Sequence, residues 1–158
     1  MLHIGFYHLG DAGVNDAVLM LVQKARGTDK KMLIFCPNPA AAAIDDALWS
    51  HDHNSWLPHG LDAAPGAELA SVWVCSDMTS NPIDADYVML LHGAEPDSWA
   101  GFERGFVVFD GKSDSQLQQA RLQWQKWKSQ SETELAYFAQ TDDGGCCLLY
   151  TSDAADEV

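Results

Sequence analysis

Four short, almost uninterrupted apolar runs constrain this chain most: KKMLIFC (30–36), ELASVWVCS (68–76), ADYVMLLH (85–92) and RGFVVFD (104–110). Each is too short for a helix of useful length and apolar at successive positions. A strand of that kind needs cover on both faces, as in a parallel sheet lying between helices. LHIGFYHL (2–9) predicts an opening strand and ELAYFAQ (134–140) a last one. Between them the period changes. Val14, Ala17, Val18, Leu21, Val22 and Ala25 recur at helical spacing, and Gly27 is a fitting stop. PNPAAAAIDDALWS predicts a second helix, with Asn38 as N-cap, Pro39 at the first position and Ile44, Ala47 and Leu48 as its apolar stripe. PDSWAGF predicts a short helix from Pro96 or Asp97. SDSQLQQARLQWQKWKSQ (113–130) predicts a long one capped by Ser113 or Asp114. Strands alternating with helices imply a single α/β domain, with a mostly parallel sheet and helices on both faces.

The 158 residues are enough for one domain, and 47% of them are hydrophobic, so the core needs no staples. The net charge is −14, with nine basic residues against 23 acidic ones. Direct, tight binding to phosphate backbones is not expected from that balance. The basic residues are uneven, however: Lys112, Arg121, Lys126 and Lys128 fall in one short stretch. The four cysteines form no C-x-x-C pair, and Cys36 and Cys75 end apolar runs as expected buried thiols. No signal-peptide pattern opens the chain, and no apolar run approaches the ~18 residues of a membrane span. The expectation is a reduced, cytoplasmic protein. The final CLLYTSDAADEV, from Cys147, resembles the translation of a sequencing adapter. The domain is therefore expected over 1–145, with 146–158 an artefactual or disordered tail and the natural end lost after Gly145.

No catalytic or cofactor motif emerges. HLGDAGVND follows the first strand with two glycines, but it is neither a dinucleotide fingerprint nor a P-loop. His51 and His53 flank Asp52 without an obvious third metal ligand, and His59 after Pro58 suits a structural hydrogen bond. No serine sits in a G-x-S-x-G elbow. Asp45 and Asp46 are adjacent on a predicted helix and point to different faces. The rival to a binding module is a nucleotide-binding or hydrolytic α/β enzyme using the cleft at the strand ends.

DDALWSHDHNSWLPHGL (45–61) is more specific. Its acidic-x-Ala-Leu-Trp block, followed by Ser-aromatic-apolar-Pro-His-x-Leu, resembles the chi subunit of bacterial DNA polymerase III. The opening FYHL, the second strand ending in Cys36, the stretch ADYVMLLHGAEPDSWAGFERGFVVFDG and the helix QQARLQWQKWK agree with it, over residues 1–145. The resemblance implies a non-catalytic replication adaptor without a cofactor. It would join the clamp loader through the psi subunit and grip the acidic, Phe-ended C-terminal tail of single-stranded DNA-binding protein. It places Trp56, with Leu57 and Pro58 beside it, on the surface facing psi or, as a weaker option, a helicase, with Trp49 at its core or rim. It places Arg121 and Trp124 in the tail site, and Lys128 extends their helix face. Leu117 and Gln125 stand where the family often carries further basic residues. Leu117 and Trp127 are expected to face the sheet.

Overall fold

The computed structural model describes residues 2–10, 17–18, 21–22, 30–37, 59–61, 72–76, 83–99, 101–130, 133–140 and 146–151. In chain order the elements are β1 (Leu2–Leu9), β2 (Met32–Phe35), β3 (His59–Leu61), β4 (Val72–Cys75), β5 (Tyr87–Leu91), β6 (Arg104–Asp110), α1 (Asp114–Lys128), β7 (Thr133–Gln140) and β8 (Cys146–Thr151). The strands form one sheet in the order β3-β4-β2-β5-β6-β1-β7-β8. All neighbours pair in parallel except β7 and β8, which are antiparallel.

Strand alternation divides the interior into two layers. Tyr7, Leu9, Met32, Ile34, Val74, Met89 and Val108 pack on one face with Ala17, Val18, Leu21 and Val22, which are helical and buried. Ile4, Phe6, Leu33, Phe35, Trp73, Leu90 and Val107 pack on the other face, beneath Ala120 and Trp127 of α1. The continuous apolar runs are thereby explained: the central strands are buried on both sides and have no solvent-facing positions to make polar. Cys36 and Cys75, at the ends of two of these runs, are buried free thiols.

The strand order dictates where α1 lies. β6 and β7 flank β1, so the chain leaving β6 must cross β1 to reach β7. α1 makes that crossing. Ser113 caps it, its side chain accepting from the Gln116 N–H at 3.4 Å. Asp114 sits in the first turn and Lys126 and Lys128 in the last, each suited to its end of the helix dipole.

Three segments differ from the sequence-based expectation. PDSWAGF is not a helix: among its described residues there is only a turn, closed by the Phe102 N–H on the Trp99 carbonyl at 3.1 Å. Gly101 takes a positive φ of 91°, and the Trp99 ring is drawn over Gly105 and against Trp127, so tertiary packing overrides local propensity. The three-residue edge strand β3 is an addition. Cys146–Thr151, expected outside the folded domain, pair along β7 as β8. An edge strand such as β7 presents a row of unpaired N–H and C=O groups, and an apolar stretch arriving there completes a ladder.

A methyl group on Gly105 would stand 2.7 Å from the Trp99 ring. Gly105→Ala is expected to cost about 1–3 kcal/mol by overpacking, read as a lower urea midpoint. The loss should shrink when Trp99 is also replaced by Leu.

Candidate functional site

α1 is seated on β1 by aromatic edges. Phe6 lies 5.2 Å from Trp124 and 6.1 Å from Trp127, centroid to centroid, and Trp127 meets Trp99 at 5.0 Å and 89°. Edge-to-face contacts of this kind contribute beyond simple area burial, about 0.5–1.5 kcal/mol each. Glutamines anchor one flank of the helix. Gln116 accepts from the Asp110 N–H at 2.9 Å, Gln119 donates to the Gly93 carbonyl, and the buried Gln123 donates to the Ala94 carbonyl. These bonds hold that flank against the turns that follow β5 and β6.

The opposite flank, toward β7, is open. A cavity of about 130 Å³ lies there, between α1 and the strands. Phe6, Phe109 and Tyr137 line it from the sheet; Leu117, Ala120 and Trp124 line it from the helix; Arg121 and Gln125 complete its lining. Ala120 is buried, and its small side chain leaves room where a larger one would fill the hole. A 150 Å³ apolar cavity is enough to hold benzene, so the space suits one six-membered ring.

The structure brings Arg121 and Trp124 together at this cavity. Trp124 is half-buried, its indole edge-on to Phe6 and 6.2 Å from Tyr137, and Arg121 is exposed. The indole is therefore a wall as well as a surface group. Lys128 is exposed and lies one turn further along the same stripe, outside the cavity lining. The cations of the molecule are not equivalent. Lys126 pairs with Glu95 at 3.2 Å, and Lys30 pairs with Glu103 and Asp86 at 3.4 and 3.8 Å. Among the described residues no carboxylate pairs with Arg121 or Lys128. Leu117 is partly buried and Trp127 fully so, both toward the sheet. Trp49, Trp56, Leu57 and Pro58 lie outside the described residues, as do His51, His53, Asp45 and Asp46. The described chain resumes at His59, which opens β3 at the sheet edge opposite β7 and β8.

Phe6, Phe109, Ala120 and Tyr137 were not singled out by the sequence. They belong to four separate elements, and only the crossing of α1 over β1 gathers them. No cluster of His, Cys, Asp or Glu capable of holding a metal occurs among the described residues, and no helix among them is long and apolar enough to cross a membrane.

A family model for the DNA polymerase III chi subunit, HolC, matches residues 1–133. The chain belongs to this family, and it is thereby an accessory subunit of DNA replication, associated with the DNA polymerase III holoenzyme. No curated protein matches the chain. The family match ends where β7 begins, at Thr133.

Cys36 is buried, and desolvation pushes its thiol from the ordinary 9.0 up to about 11. The neutral thiol is the form favoured by the fold, so its contribution is complete below pH 9 and is lost as the pH rises toward 11. Between pH 8 and 10.5 the wild type should lose about 2 kcal/mol more stability than Cys36→Ala, measured by urea unfolding at both pH values.

Proposed function

We propose that this subunit is a non-catalytic cytoplasmic adaptor whose α1–β7 cavity receives the C-terminal tail of single-stranded DNA-binding protein. A second set of residues, Trp56, Leu57, Pro58 and Trp49, docks the psi subunit of the clamp loader. The observation that carries this reading is a ring-sized apolar cavity bordered by Arg121, a guanidinium without a carboxylate partner among the described residues. A terminal phenylalanine supplies both complements: a phenyl ring for the cavity and an α-carboxylate for the guanidinium. Arginine takes a carboxylate in a two-pronged geometry that lysine cannot reproduce.

The magnitudes are consistent with a tether. Burying a phenyl ring contributes about 1.5–3 kcal/mol, and a hydrogen bond to a charged group about 1.5–3 kcal/mol more. Either half is a large share of the total, so losing one should be visible. Lys128, further along the stripe, meets the acidic residues upstream of the terminal ring. The net charge of −14 opposes approach of an acidic peptide over long distances, so attraction has to be local.

The test is titration of a fluorescent acidic peptide ending in Asp-Phe-Pro-Phe. Arg121→Glu is expected to weaken binding at least about tenfold, and Lys128→Ala by less. Absence of binding at low salt, or binding indifferent to Arg121→Glu, ends the tail assignment. For the other surface, Trp56→Ala is expected to abolish co-purification with psi, and intact co-purification would refute that docking site.

A further inference from the structure

The wall of the cavity formed by Tyr137 is held from behind. The Tyr137 hydroxyl is hydrogen-bonded to Nδ1 of His8, two residues beyond Phe6 on the same face of β1. The His8 ring is itself confined. It lies 5.3 Å from Phe109, and a side chain on Gly111 would strike it, since a Cβ there would stand 2.0 Å from the imidazole. Tyr137 in turn meets Trp124 at 6.2 Å and 71° and Phe109 at 6.2 Å and 61°. One side of the cavity is thus an aromatic wall whose outermost ring is tethered through its hydroxyl, and the space it leaves is about 130 Å³.

We infer that His8 and Tyr137 are specificity-determining positioning residues of this site: their hydrogen bond fixes the tyrosine ring so that the cavity accepts a single six-membered ring and rejects a larger one. The inference rests on the tail-binding reading above and adds the reason for its selectivity. An untethered ring at this position could tilt outward along β7, because β7 is only partly buried there. The cavity would then widen enough for an indole.

The experiment compares two acidic peptides, identical except for a terminal Phe or Trp, on the full-length protein. Wild type is expected to prefer the Phe peptide. Tyr137→Phe keeps the ring and removes the tether, and His8→Leu removes the partner. Each should reduce the Phe-to-Trp preference about three- to tenfold, the size of one lost hydrogen bond, chiefly by improving binding of the Trp peptide. His8→Asn, which keeps a polar atom near the position of Nδ1, should restore much of the preference. A merely structural role would weaken both peptides together and leave their ratio unchanged. Unfolding midpoints of all three variants identify any general loss of fold. If the ratio stays at its wild-type value in Tyr137→Phe and His8→Leu while the Phe peptide still binds, the positioning role is wrong and tail binding stands. If wild type binds neither peptide, both fall together.

Discussion

The contact between Phe6 and the two tryptophans of α1 is the point on which the rest of this molecule turns. A parallel sheet with β1 between β6 and β7 leaves the chain no way to connect those strands except over β1. The connecting helix must find a seat there, and Phe6 supplies it, edge-on to Trp124 and tilted against Trp127. Trp127 then reaches Trp99, and through Phe102 the aromatic column continues to Phe35 on β2. The same Phe6 ring also lines the open cavity. The scaffold and the site therefore share an atom set. Deepening the cavity by shortening Phe6 would also loosen the helix that forms its other wall.

The two flanks of α1 are treated differently, and that asymmetry makes a site out of a connector. Toward β5 and β6, three glutamines at helical spacing each bond to a backbone group and close that seam with polar contacts. Toward β7, no further helix among the described residues covers Leu117, Arg121 and Trp124, and a hollow remains. The overall acidity sharpens the chemistry. Among the described residues Lys30 and Lys126 are paired to carboxylates, whereas Arg121 and Lys128 are not, and these two share one stripe of α1.

Much of this architecture was legible in the sequence. Apolar runs such as MLIF and YVMLL can be satisfied only by burial on both faces, and they are the central strands. The sequence narrowed the cap of α1 to Ser113 or Asp114, and the Ser113 hydroxyl is the one that accepts from the Gln116 N–H. The spacing of Arg121, Trp124 and Lys128 placed them on one stripe of α1. The half-burial of Trp124 was not legible, because it depends on Phe6 and Tyr137, 118 and 13 residues away in sequence. PDSWAGF misled for a related reason: its helical signals, Pro96 and Asp97, are local, whereas the fate of Trp99 is decided by space above Gly105 and beside Trp127. Local chemistry announces elements, and long-range pairing decides which of their surfaces become concave.

The register of β1 carries a temporal consequence. Its partners are β6 and β7, with His3 opposite Arg104 and Glu134. While a ribosome is still translating the middle of the message, the N-terminal strand has neither neighbour, and the hollow beside α1 has no floor and only part of a rim. Long-range pairing of this kind is slow and comes late. The hollow beside α1 is therefore completed only as the last strands emerge, so a half-made chain carries the helix without the concave surface it forms in the finished fold.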